Sequence, residues 1–460
     1  MRSSSEIIVR KDYTRGPSTI FYKDSPFWQT FLAICFVALL SFAGLGEWKT
    51  LNNLLGGLPK AITVGIIVMA AAYAIIYPDR RRIRDVLTPT LMFMSLMAAL
   101  FLWSVVIWIM SFMNLSSMIR GCSKLVFQTI SILTAVSGVY LFHEKAVDLF
   151  TTSLCIANGA IMLLEIPHFG LAASIRSLIT CLVTFGDAEG YARNLEIHDL
   201  TFVFGQLILY YAVFAPHDTR QEKKRRRRYL FASTFFFLVG MKRIAIPAVI
   251  LFVLVGLFFR ARKMPKWFYP AMGAAWTVFF LAFVYCIHTG IVTQLLERFG
   301  IDMMGRDYLW SLADDYYDFS ITYIGHGFEY VDSIVQSWYR AGLINHAYPF
   351  HNDILKVFVE MGFPGFLLWA GIQYIATPAF LLHYADEWTT LLYMCDLSYM
   401  TITYLTDNTS FYFWSTMALR MIPLACAVER KKPPKAQVWK PRNKQEMQDR
   451  IRILMQESQQ

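Results

Sequence analysis

Charge is scarce in this chain. Only 17% of its 460 residues are Asp, Glu, Lys or Arg, against roughly 25% in soluble domains, which argues against an ordinary soluble protein. Cysteine is sparse and scattered. None of the seven stands with a second Cys or a His at metal-ligand spacing, so neither a zinc centre nor a disulfide framework is expected. Five of them, Cys35, Cys155, Cys286, Cys395 and Cys426, lie inside apolar runs. No Gly-rich phosphate loop and no internal repeat is present. The first 25 residues are polar and carry no apolar stretch followed by a small-residue cleavage site, so no cleavable signal peptide is expected.

What the chain has instead is apolar length. Hydrophobic residues make up 56% and aromatics 16%, and the mean hydropathy is +0.41. A helix needs about 20 apolar residues to cross a hydrocarbon core, and helices are the only plausible spanning structure for so many runs. Twelve runs are read as spans: 26–43, 61–77, 87–113, 125–142, 146–165, 199–215, 229–241, 244–260, 267–287, 363–382, 389–405 and 411–427. The expected fold class is an all-α polytopic membrane protein of about twelve transmembrane helices. Residues 1–25 form an N-terminal segment, 26–427 one transmembrane domain, and 428–460 a basic tail.

Orientation follows from Lys and Arg in the connections. The N-terminal segment, "DRRRIRD" (79–85), 143–145, "RQEKKRRRR" (220–228), "RARKMPK" (260–266) and the tail from Arg430 hold 30 of the 43 basic residues. Twelve spans place all of them on one side, which is therefore read as the cytoplasm, with both termini there and the protein in the cytoplasmic membrane. The "KKRRRR" run reads as an orientation signal against an anionic leaflet and not as a nucleic-acid site.

Two connections on the opposite, outer side are long: about 166–199 and 288–362. Loops of that length in a compact protein are usually functional. The second contains 12 aromatic residues between Arg306 and Phe350, and aromatic faces stack against sugar rings.

Within the second connection, "HNDILKVFVEMGFPG" (351–365) reads as a short amphipathic helix. Ile354, Leu355, Val357, Phe358 and Met361 share one face. Asn352 or Asp353 suits the N-cap, Gly362 the end, and Pro364 blocks continuation. His351 then stands at the helix N-terminus, where partial positive charge disfavours a protonated ring. A neutral imidazole is what a general base requires. The same position also suits a His that simply bonds a loop carbonyl.

Arg306, followed four residues later by Trp310, lies in the same connection. Arg243 sits between two short spans on the outer side, and Arg176 and Arg193 lie in the other long connection. Each suits either an interfacial anchor or a clamp for an anionic headgroup, since guanidinium matches phosphate geometry.

Several segments, in order, resemble the O-antigen ligase and Wzy-type polysaccharide polymerase superfamily. "HNDILKVFVEMGFPGFLLW" resembles its His-Asn signature before a late span. "GRDYLW" (305–310) is similar to its Gly-Arg-x-x-x-Trp, and "IGHGF" (324–328) to its Gly-x-Gly-Phe turn. "VGMKRIAI" resembles a Ser-Arg segment, with Lys242 where Ser is more usual. "YLTDNTSFYFW" (404–414) is similar to a late outer-face segment of exopolysaccharide polymerases. The likeness covers roughly 200–415.

The resemblance implies glycosyl transfer outside the membrane with neither metal nor nucleotide sugar, so no cofactor is expected. The substrate would be an undecaprenyl-pyrophosphate-linked oligosaccharide. Arg243 and Arg306, with Arg176 and Arg193 as further candidates, would hold the pyrophosphate, and His351 would act as base. Trp310, Asn352 and His326 are candidates to meet the glycan. A flippase and a chain-length regulator are the partners such an enzyme would have. Polymerase and ligase share this chemistry. The Thr-Asp-Asn segment favours a polymerase, and a ligase moving finished glycan to lipid A core is the alternative. A twelve-span transporter is a third reading. It is disfavoured because no repeated halves with mid-membrane sites are visible.

Overall fold

The computed structural model describes residues 26–430, apart from 112–114, 185–188, 261, 263, 301–304, 348 and 406. The N-terminal segment and the basic tail lie outside the described residues. What is described is helical, with no strand among the described residues.

The chain opens with α1 (Pro26–Leu45), two short helices α2 (Lys49–Leu55) and α3 (Leu58–Ala61), and α4 (Val64–Ile76). Four longer segments follow: α5 (Arg80–Ser111), α6 (Leu115–Phe142), α7 (Lys145–Phe169) and α8 (Leu171–Thr184). Then come α9 (Gly190–Asn194), α10 (His198–Leu209, closed by a π turn), α11 (Arg220–Val239), α12 (Ala245–Arg260) and α13 (Phe268–His288). The outer segment holds α14 (Ile291–Arg298), α15 (Arg306–Ala313) and α16 (Tyr330–Arg340). The last group is α17 (Asp353–Ala370), which continues through a π turn into α18 (Thr377–Tyr384), then α19 (Glu387–Tyr404) and α20 (Phe413–Arg430).

Each of the twelve apolar runs lies on a helix. Seven helices are long and apolar enough to cross a membrane, and 171–184, 199–214, 245–260 and 413–428 are shorter apolar helices. The first long connection is not an open loop, because α8 occupies 14 of its residues. Leu171, Ile175, Ile179 and Val183 form an exposed apolar face there, spaced four residues apart as one helix side requires.

The outside of the bundle is apolar at Ile75, Leu163, Phe231 and Val278, the reverse of a soluble surface, where large apolar patches are rare. Its centre is α19, buried along nearly its whole length and carrying Ser398, Thr401 and Thr403, each hydrogen-bonded. Such a helix faces protein on all sides, so polar groups are tolerated where they find partners. That is why α19 falls below the apolarity of a lipid-facing span.

Polar cross-links gather at the two ends of the bundle. At the basic end Arg82 donates to the Leu141 carbonyl, Arg225 pairs with Asp148, Arg260 contacts His217, and Tyr384 donates to the Asp85 carbonyl. At the other end the Trp414 indole donates to Glu47, Asp199 accepts the Trp414 and Ser415 backbone N–H groups and so caps α20, and Lys242 pairs with Glu196. Every one of these links joins segments that the twelve-run reading places on the same side.

Candidate active site

The site is built on the start of α17. His351 has φ 54°, in the left-handed region, which a His visits more readily than a branched residue but which still costs energy. Its neighbours hold it there. The Asn352 side chain accepts the Leu355 N–H at 3.0 Å and caps the helix. The Asp353 carboxylate accepts the Ser410 N–H at 2.7 Å, tying α17 to the turn before α20. The Trp310 indole donates to the Phe350 carbonyl at 3.4 Å.

Behind His351, the helix is anchored by buried charge. Lys356 Nζ lies 2.9 Å from Asp332, 3.3 Å from Glu329 and 3.9 Å from Glu360. Lys124 of α6 also reaches Glu329, at 3.4 Å. The Glu360 carbonyl accepts the His326 and Gly327 N–H groups. Gly362 has φ 64° and ψ −175°, so helical geometry stops there, and a second helical segment carrying Pro364 in its first turn begins beyond this kink. The kink falls where the sequence places the end of the first helix, and the Phe363 N–H turns to the Tyr323 carbonyl instead of back into it. A Cβ on Gly362 would lie 2.2 Å from the Ile324 carbonyl carbon, and one on Gly325 would lie 2.4 Å from the Gly362 nitrogen. The Gly-x-Gly-Phe turn and the kink are thus one backbone-to-backbone joint.

A cavity of about 630 Å³ opens at this end of the bundle, lined by Gly305, Arg306, Tyr308, Leu309, Leu343, Ile344, Asn345, His346 and His351. It brings Arg306 and His351 together across 45 residues of chain. Arg306 opens α15 after Gly305, whose φ is 76°, so its guanidinium and the helix's positive end serve the same wall. Leu309, Leu343 and Ile344 supply apolar surface. Asn345 and His346 were not singled out in the sequence.

One partner of His351 was also missed. Its Nδ1 lies 3.5 Å from Asp407 Oδ1. The same oxygen accepts the Asn408 N–H at 2.9 Å and the Tyr412 hydroxyl at 3.3 Å. Asp407 belongs to the Thr-Asp-Asn segment, so its signal was present in the sequence, but nothing there showed which residue it would meet.

The other candidates are placed elsewhere. Arg176, Arg193 and Arg243 are exposed on α8, α9 and the turn before α12, and none is among the cavity's lining residues. Trp310 and Asn352 are buried and act on the chain around His351. His326 stacks on Tyr330 with ring centres 4.1 Å apart, and its Nε2 meets the Tyr316 carbonyl at 2.7 Å. Burial holds that imidazole below its ordinary range, against the opposing effect of the Tyr316 bond. These contacts make it part of the outer segment's packing.

The bundle thus carries an imidazole, a carboxylate and a guanidinium at one end. Residues 229–370 match the family model described as O-Antigen ligase. The matched stretch contains Arg243, Arg306 and His351. The match supports an O-antigen ligase-like superfamily assignment, a group of membrane glycosyltransferase-like enzymes. No curated protein matches the chain at a significant level.

Proposed function

We propose that this protein is a polymerase that joins oligosaccharide repeat units carried on undecaprenyl pyrophosphate, at the outer face of the cytoplasmic membrane. The observation that carries the reading is the shared cavity of Arg306 and His351. The outer placement and cytoplasmic termini rest on the Lys and Arg distribution.

In this reaction an acceptor hydroxyl gives its proton to His351 Nε2, the nitrogen turned away from Asp407. The oxygen attacks the anomeric carbon in line, the bond from that carbon to the lipid pyrophosphate breaks, and the configuration inverts. Arg306 stabilises the charge that grows on the leaving pyrophosphate, a preorganised electrostatic effect. Asp407 orients the ring through Nδ1 and stabilises the imidazolium, as the carboxylate of a catalytic triad does. The left-handed backbone at His351 is consistent with such a role, since strained residues cluster at functional sites. Arg243, Arg176 and Arg193, exposed on the same outer side, are the residues to guide an anionic headgroup toward the cavity.

The polymerase reading is preferred to the ligase because Asp407 lies in the polymerase-like segment and contacts His351. The test is to incubate the purified protein with a lipid-pyrophosphate oligosaccharide and resolve the products by size. A ladder of longer lipid-linked chains supports polymerisation. Transfer only to an added lipid A core acceptor favours the ligase. Lipid-linked unit crossing the membrane with no new glycosidic bond would overturn both.

A further inference from the structure

Lys242 is nearly buried, its side chain 11% exposed, and its Nζ meets carboxylates beside the site. Its Nζ lies 2.7 Å from Glu196 Oε1 and 4.0 Å from Asp407 Oδ2. Asp407 therefore turns one oxygen to Lys242 and the other to His351. The four groups form a row, Glu196–Lys242–Asp407–His351, that joins four separate outer segments.

The backbone is arranged to put Lys242 there. Met241 is left-handed, with φ 45°, and its side chain packs with Cys181 and Ala192 of α8 and α9. The next residue is then buried and Arg243 exposed. Four described non-glycine residues have positive φ: His143, Met241, Glu329 and His351. Two of them, Met241 and His351, lie in or beside this centre. A left-handed methionine is uncommon and costly, so the surrounding packing must hold it.

We propose that Lys242 is a positioning residue of the His351 centre: it holds the Asp407 carboxylate in place and shares its charge, so that the imidazole is oriented by Asp407 without being kept protonated by it. This rests on the reading of His351 as base given above. The physical reason is charge balance. A lone carboxylate beside an imidazole favours the protonated ring, which is no use as a base. Two carboxylates facing each other without a cation would repel, and one would turn away or take up a proton. Lys242 between Glu196 and Asp407 prevents both. Groups that face Asp407 include Lys242 with Glu196 behind it, His351 and Asp353 from the start of α17, and the Tyr412 hydroxyl and Asn408 N–H from its own turn.

The test compares Lys242→Met and Lys242→Arg with wild type in the full-length protein, measuring chain growth across pH. Removing the cation strengthens the hold of Asp407 on a proton at His351. The acidic limb of kcat should therefore move to higher pH by about half a unit or more, a roughly three-fold loss on that limb, with the donor KM unchanged. Lys242→Arg should restore the wild-type limb. Glu196→Gln should move the limb the other way, because the charge of Lys242 is then no longer shared with Glu196; it also serves if Lys242→Met does not yield folded protein.

A limb that stays in place in both variants overturns the proposal. So does a raised donor KM with an unmoved limb, which would make Lys242 a substrate contact. His351→Ala separates this from the underlying reading. If that variant still extends chains, the base assignment fails. If it is inactive while Lys242→Met and Glu196→Gln keep the wild-type limb, only the role of Lys242 fails.

Discussion

His351 Nδ1 and Asp407 Oδ1 lie 3.5 Å apart, although 55 residues of chain separate them. The pair sits where two chain reversals meet, one before α17 and one before α20. The Asp353 bond to the Ser410 N–H clamps those reversals together. The two do not meet as a hydrogen bond, and the distance suits an ion pair once the ring is charged. Such contacts often tighten when substrate is bound.

The first prediction concerns this pair. His351→Ala should lower chain growth by about 10²–10⁴-fold, the usual contribution of a positioned base. Asp407→Asn keeps the shape but removes the charge that steadies the imidazolium. It should lower kcat with little change in donor KM. Steady-state kinetics on purified protein would check both, and Asp407→Asn with wild-type kcat would remove Asp407 from the mechanism.

Arg306→Ala should cost about 10²–10³-fold in kcat, by analogy with loss of one charge-stabilising donor. Arg306→Lys should recover only part of that, because an ammonium cannot bind two oxygens as a planar fork does. The order wild type, Lys, Ala in the same assay is the expected result. A Lys variant equal to wild type would mean that only charge is needed.

Gly362→Ala should destabilise the outer end of the bundle with no loss of any charged group. Its φ is 64°, and a Cβ would overlap the 323–325 backbone. The strain alone is worth about 1–3 kcal/mol, and the overlap adds to it. A lower melting temperature in detergent is the measurement, with Gly371→Ala as control, since nothing lies within 4 Å of a Cβ there.

Lys356→Met should be more damaging than its distance from the cavity suggests. It leaves Glu360 and Glu329, both buried, without their shared cation. Removing one partner of a buried ion pair costs about 3–5 kcal/mol. Protease sensitivity of the segment 314–346 would report the release of α16 from α17, and unchanged resistance would count against the clamp.

Much of the fold was legible in the sequence because membrane solvent imposes a simple rule. Long apolar runs must be helices, and basic residues collect at one end. The helix over 351–361, its Asn352 cap and the special backbone at Gly362 were also legible, because capping and left-handed glycine are local properties. The 171–184 helix was hidden because "LAASIRSLITCLVT" is too short and too mixed for the length criterion.

The site divides in the same way. The sequence by itself determined His351 at a helix start, and Arg306 with a cluster of aromatics in one long connection, since each is a matter of residue type and spacing. Only the tertiary structure decided that Asp407 meets His351, that Lys242 stands behind Asp407, and that Trp310, Asn352 and His326 support the chain instead of lining the cavity. Those are contacts between segments far apart in sequence. They depend on how helices pack against one another, which no local pattern records.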